Sequence, residues 1–250
     1  MRLPRAKWTT GPVADRTDPA EHGAAAGVVA SSTRTRGSGN NRERGEVVRF
    51  VQLDVWSDVV CPWCYIGKRK LERALERWDG EAVEVVWRPF QLDPRAANSG
   101  RPMVDVLGER FGADGARQAQ ARVTGVAAGV GLAYDLSRQV EANTFDAHRL
   151  LLLGREQGVQ GAVGERFFHA HFTEGAHLGD RDVLVALATE AGLAGAEAAL
   201  DDDALAERLT EELAEGVAIG VRSVPTFVVG NRGVAGAQDP EVLLDLLRGA

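Results

Sequence analysis

Two cysteines stand at positions 61 and 64, and the chain has no others. Pro62 and Trp63 separate them. Thiols at that spacing can open and close a small disulfide ring, or hold half of a zinc site. A zinc site wants four ligands. The remaining ligands would have to come from His148, His169, His171 or His177, and none of these has zinc-finger spacing. The spacing therefore favours thiol–disulfide chemistry.

That chemistry depends on the elements that carry the pair. Arg49 to Trp56 reads as a buried strand, rich in β-branched and aromatic residues. Tyr65 to Trp78 reads as a helix with Ile66, Leu71, Leu75 and Trp78 as its apolar stripe. Pro62 suits the first helical turn, where a missing N–H leaves nothing unpaired. Cys61 then sits at the mouth of the helix, beside free backbone N–H groups and the positive end of the dipole. In Cys-x-x-Cys pairs the first cysteine can have its pKa lowered from about 8.5 to roughly 3.5–7. A thiol of that kind is a ready nucleophile and a good leaving group. Cys64, one turn on, can close the ring.

Composition narrows the classes. The chain has 250 residues, 44% of them apolar, enough for one large domain or two small ones. The formal charge is −7, unevenly spread. Residues 1–46 hold eight Lys/Arg and five Asp/Glu, which puts −10 on the rest. So acidic a body argues against nucleic acid as the partner. No apolar run approaches the ~18 residues of a membrane span, and the stretch from Thr9 to Ala30 lacks the apolar core of a secretory signal. The expected location is cytoplasmic, with no membrane partner. There a lone Cys-x-x-Cys pair points to catalysis or regulation.

Residues 1–46 read as a disordered basic extension, since Ser31 to Arg44 has no apolar residue. A nucleic-acid-binding arm and a true start near Val47 are the alternatives. Ala82 to Arg88 reads as a second strand, parallel to the first. Residues 98–201 show helical segments only: Pro102–Phe111, Asp114–Val130, Asn143–Glu156, Val163–Phe172 and Asp180–Ala191. They read as an inserted helical subdomain. Asp202 to Ile219 is helical again. Val221 to Val229 is a strand entered through Pro225, Asn231–Gly233 a turn, Val234–Ala235 a short strand, and Asp239–Pro240 opens a last helix. The class is α/β, built from residues 47–97 and 202–250.

Strand, Cys-Pro-Trp-Cys, helix, then Val224-Pro225 entering a hairpin and a final helix resembles the thioredoxin fold. With the helical insertion it resembles the DsbA family. The sharper likeness is to the FrnE-like branch, on Ser57-Asp58, Cys61 to Gly67, Arg88-Pro89-Phe90, Asn143 to Arg149 and Gly236-Ala237-Gln238. The likeness spans roughly residues 48–249. Ser223 departs from it, where the branch usually has Gly.

The resemblance implies a thioredoxin-like fold of DsbA type with a helical insertion. It implies a cis Pro225 beside the cysteines, with Val224 presenting backbone groups to an incoming disulfide. Pro62 and Trp63 shape the site. Asn143, His148 and Arg149 become candidates for the substrate cleft, although a histidine among apolar residues is commonly a hydrogen-bonded core group. Asp54 and Asp58 flank the cysteines, and a buried carboxylate there could act as general base; both also fit as plain loop or strand-edge residues. Asp201–Asp203 reads as helix N-terminal charge.

The expected activity is thiol–disulfide oxidoreductase or isomerase, with Cys61 as nucleophile and protein or small-molecule disulfides and thiols as substrates. No metal or bound cofactor is expected, and glutathione is a candidate co-substrate. The sequence carries no signal for an oligomeric state. Three other readings stay open. One is a glutathione-dependent isomerase or transferase of the 2-hydroxychromene-2-carboxylate isomerase or kappa-class type. Another is a redox-controlled binding or chaperone module. The last is a tailoring role beside polyketide synthesis.

Overall fold

The computed structural model describes residues 50–249, so the expectations for residues 1–46 lie outside the described residues. Strand β1 (Phe50–Ser57) leads into helix α1 (Pro62–Leu75) and then β2 (Ala82–Pro89). Six helices follow: α2 (Met103–Phe111), α3 (Ala113–Gly129), α4 (Phe145–Glu156), α5 (Gln160–His169), α6 (Arg181–Glu190) and α7 (Ala196–Ala199). Helix α8 (Asp203–Ile219), the hairpin β3 (Thr226–Val229) and β4 (Arg232–Ala235), and α9 (Pro240–Arg248) complete the chain.

The sheet order is β2-β1-β3-β4. β1 and β2 run parallel, with Val55 opposite Trp87. β3 is antiparallel to β1, with Val55 opposite Phe227, and β4 is antiparallel to β3. A parallel β1–β2 pair needs a crossover, and α1 supplies it. Strand alternation then assigns the faces. Leu53, Val55 and Phe227 pack against Leu71 of α1 and Leu243 and Leu247 of α9. Trp56 points to the opposite face, where α8 lies against it. A Cβ at Gly216 would come within 2.5 Å of the Trp56 Nε1, so glycine sets how closely α8 can approach.

A second core, with Leu150, Phe167, Leu184 and Leu209, fills the space between α4, α5, α6 and α8. A third joins it to α1. Tyr65 and Ile66 pack there with Val123, Phe168 and Phe172. At its edge Glu165 of α5 accepts from Tyr65 (2.6 Å), Lys68 (2.5 Å) and Arg69. Burial alone would raise the Glu165 pKa, but the Lys68 and Arg69 cations and the Tyr65 hydroxyl outweigh it and leave it lowered. The cysteine-bearing helix is therefore tied to the helical segment by packing and by charge.

Two features of that segment differ from the sequence reading. The helix expected from Val163 starts at Gln160 and turns at Ala170 into a π-helical turn, closed by Gly175 at φ 75°. Helix α7 is only four residues long, too short to show a period.

Candidate active site at the Cys-Pro-Trp-Cys turn

β1 ends at Ser57, and the chain turns to put Cys61 at the N-cap of α1, with φ −89° and ψ 112°. The Cys61 N–H donates to the Asp58 carbonyl at 3.0 Å, and the Cys64 N–H to the Cys61 carbonyl at 3.0 Å. Pro62 occupies the first turn, no side chain caps the helix, and that turn has no acidic residue. The field at the helix start is thus left for the Cys61 sulfur. Both cysteines are free thiols. Cys61 is 3% exposed and Cys64 0%.

Opposite the cysteines the Val224–Pro225 peptide is cis. The Cys61 Sγ lies 3.7 Å from the Val224 carbonyl, to which the thiol donates. The Pro225 ring rests on α1 at Gly67, where an added Cβ would meet Pro225 Cγ at 2.8 Å. Burial pushes the Cys64 pKa well above its ordinary value, and the adjacent Cys61 adds to this. The Asp58 backbone and the Ser57 hydroxyl pull the other way without reversing it. At neutral pH Cys64 therefore holds its proton. The two sulfurs are inequivalent: one at the helix mouth, one sealed beneath it.

Asp58 is 1% exposed. Its Oδ2 accepts from the Leu92 N–H at 2.8 Å, and its Oδ1 lies 3.3 Å from His148 Nε2. The same nitrogen lies 3.0 Å from the Phe90 carbonyl, which can only accept, so Nε2 carries a proton. Asn143 works as a brace. Its Oδ1 accepts from Phe145 N (3.0 Å), and its Nδ2 donates to the carbonyls of Pro94 and Ala96 (both 3.1 Å). Arg149 donates to the Asp202 carbonyl at 2.8 Å. Asp54 pairs with Arg88 of β2 at 2.7 Å. Asp202 caps α8, as its charge suggested.

A groove of about 490 Å³ opens beside the cysteines. Pro62, Trp63 and Asp58 form one wall, and Met103, Val106 and Leu107 of α2 form another. Asn143 and His148 are not among its lining residues. α2 contributes no buried residue and stands as an outer wall.

The sequence reading overlooked Tyr134. Its hydroxyl donates to the Pro62 carbonyl at 2.8 Å, inside the Cys-Pro-Trp-Cys turn itself. Its ring stacks on Phe172 at 4.8 Å, and Tyr65 stacks on Phe168 at 5.0 Å. Scarcity was the available signal: the chain has two tyrosines, and both meet here. Tyr134→Phe should cost roughly 0.5–1.5 kcal/mol of stability. It should also slow thiol exchange a few-fold. Denaturant midpoints and exchange rates check this, and unchanged values in both would remove Tyr134 from the site.

Beneath the groove wall, His171 is fully buried. Its Nδ1 faces the Ala176 carbonyl at 3.2 Å and its Nε2 faces Gln139 Nε2 at 2.9 Å, which fits a neutral ring protonated on Nδ1. Burial lowers its pKa to about 4, against opposing contributions from Ala176 and Asp58. The unfolded chain binds this proton below about pH 6.5, the folded chain only below about 4. Stability from this group is therefore complete above pH 6.5 and is lost as pH falls towards 4. The wild type should lose up to about 3 kcal/mol more than His171→Gln over that window. Parallel pH curves for the two proteins would contradict this.

Among the described residues no cluster of His, Cys, Asp or Glu is placed to hold a metal, and no helix is long and apolar enough to cross a membrane.

Comparison with known proteins bears on this geometry. The model of the DSBA-like thioredoxin domain matches residues 52–248. The uncharacterised protein YwbO of Bacillus subtilis is 30% identical over 201 residues, 77% of this chain and 93% of its own. The crystal structure of a probable DsbA oxidoreductase from Streptomyces coelicolor is 35% identical, covers 80% of this chain and 89% of its own, and superposes with a TM-score of 0.74. The cytosolic disulfide reductase DsbM of Pseudomonas aeruginosa shares the fold, with a TM-score of 0.56 at 20% identity over 80% of this chain and 100% of its own; it is also known with glutathione. The chain thus belongs to the DSBA-like thioredoxin-domain family and is a thiol–disulfide oxidoreductase or isomerase of that family.

Proposed function

We propose that the chain exchanges disulfides through Cys61 and Cys64, with Cys61 as the attacking sulfur. One observation carries this reading: Cys61 caps α1 facing the Val224 carbonyl, while Cys64 lies sealed one turn below. Attack by Cys61 forms a mixed disulfide with the substrate, and Cys64 then displaces the substrate as a thiol. The Val224 carbonyl offers an acceptor to the substrate backbone, beside Pro225. The apolar wall of Trp63, Met103, Val106 and Leu107 suits an apolar substrate segment. We assign the chain to the FrnE-like branch and to the cytoplasm. Glutathione is the proposed thiol co-substrate, supported by its presence with DsbM.

The test is turnover of a fluorescent peptide disulfide with glutathione as the only reductant. The full chain should accelerate the reaction, and Cys61→Ser should not. No acceleration by the wild type in either direction would overturn the reading. Glutathione-dependent isomerisation that survives loss of Cys64 would place the chain with the chromene-carboxylate isomerases instead.

A further inference from the structure

Five segments wall the groove beside the cysteines. Val60 and Pro62, the neighbours of Cys61 on either side, bring the Cys-Pro-Trp-Cys turn to it. The loop after β2, α2, α3 and the stretch before α4 supply the rest, through residues such as Leu92, Val106, Val123 and Ala142. The volume of about 490 Å³ lies within the range of about 300–1,000 Å³ that holds one small molecule. The attacking sulfur has an apolar setting as well. Cys61 packs in a cluster with Tyr65, Val221 and Val224, and Trp63 packs against it.

The polar side chains of these walls already have partners within the protein. Gln120 donates to the Leu136 carbonyl at 3.4 Å, and Gln139 faces His171 at 2.9 Å. Thr144 accepts from Gln91 at 3.4 Å. Asp58 accepts from the Leu92 N–H at 2.8 Å, and Glu141 from Ser99 at 2.6 Å. A peptide entering this space would bring N–H and C=O groups and find few free partners for them, which costs free energy for each one left unpaired. An apolar body brings no such groups, and the Trp63 ring suits an aromatic one.

α2 is held mainly at its ends. At its start the Met103 N–H donates to the Gln139 carbonyl and the Glu141 N–H to the Arg101 carbonyl, both at 2.8 Å. At its other end Gly112 alone, at φ 77°, joins it to α3. α3 is anchored by buried Ala116, Val123 and Ala127, whereas α2 buries no residue. Met103, Val106 and Leu107 stand half-buried on the groove. An apolar occupant would complete the burial that the protein alone leaves unfinished.

We propose that this groove is a chamber for the aromatic, apolar body of a small-molecule disulfide, and that α2 closes over it while Cys61 attacks. The inference rests on the exchange reading above and names its substrate class. The Cys61 thiolate bonds to the sulfur of the half held in the chamber, and the other half leaves as a thiolate. Cys64 then gives up its proton, bonds to Cys61 Sγ and displaces the held half. The chain's dithiol loses two electrons and two protons, and the substrate gains both as two thiols.

The test compares dibenzyl disulfide, bis(2-hydroxyethyl) disulfide and a disulfide-bonded peptide. Each is mixed with the reduced full chain, and each rate is divided by that disulfide's rate with dithiothreitol, which removes intrinsic reactivity. The normalised rate for dibenzyl disulfide should exceed both others by roughly 10- to 100-fold, the range for burying one aromatic side chain. Val106→Asp places a charge in the chamber on a helix without buried residues, and should collapse that advantage to about threefold or less. Benzyl methyl sulfide, which cannot exchange, should slow amide hydrogen exchange across α2 of the wild type at least about threefold. Its effect should not extend to α9. A peptide disulfide that matches dibenzyl disulfide overturns the proposal. So does unaltered hydrogen exchange across α2 at millimolar probe, even where Val106→Asp fails to fold. Reaction no faster than with dithiothreitol for all three disulfides would instead sink the exchange reading, and protection of α2 would then decide for or against the chamber by itself.

Discussion

Cys64→Ser should react once with a disulfide and then stop. Cys61 stays at the helix mouth with its access and its field unchanged, so the first attack proceeds. The resolving sulfur is gone, and the mixed disulfide persists. On non-reducing gels the variant should carry covalent adducts that vanish with reductant. Cys61→Ser should form no adduct, since the remaining thiol is 0% exposed and holds its proton. Both variants should lose turnover by at least about 10³-fold, as expected when one member of an interdependent pair is removed. Because a hydroxyl replaces a thiol of similar size, both should fold. The outcome that sinks this assignment is adduct formation by Cys61→Ser, or normal turnover by Cys64→Ser.

Gly67→Ala should have the second-largest effect, although it touches neither sulfur. Its Cβ would stand 2.8 Å from Pro225 Cγ and 3.3 Å from Phe227 Cζ. Neither neighbour is the loose end of a flexible chain. Pro225 is held in the backbone, and Phe227 is fully buried against β1. Something must shift, and overpacking of this kind costs roughly 1–3 kcal/mol. Helix propensity runs the other way, since alanine favours a helix over glycine by about 1 kcal/mol. A change that improves the helix yet lowers the melting point would isolate the Pro225 contact. The shift falls on the Val224 carbonyl that faces Cys61, so exchange should drop about tenfold, equivalent to about 1.4 kcal/mol of barrier. Wild-type kinetics with a raised melting point would show that the site tolerates the displacement.

Much of this site was legible before any coordinates. Cysteine spacing, Pro62 and the two flanking periodic segments give the strand–turn–helix, because each rests on local chemistry. Val224-Pro225 could be placed only through family resemblance, since nothing local marks a proline 161 positions after Cys64 as its neighbour in space. Tyr134 and Glu165 were invisible for a shared reason. Their roles depend on which surfaces of the helical segment meet α1, and packing between distant segments leaves no periodic trace. Tyr134 sits in a loop between α3 and α4, with no motif around it. Asn143 was read as a helix start and a cleft residue. Its side chain does accept from the first amide of α4, but its other bonds brace the loop after β2.

The central claim is that Cys61 and Cys64 form one reversible dithiol–disulfide pair. A redox titration of the full chain in glutathione buffers tests it most directly, with thiols trapped at each ratio and the cysteine peptides identified by mass. The account predicts one two-electron transition between the dithiol and an intramolecular Cys61–Cys64 disulfide. It also predicts any glutathione adduct to be transient and confined to Cys61. A chain that forms no Cys61–Cys64 disulfide at any ratio, or that accumulates glutathione on Cys64, would contradict it.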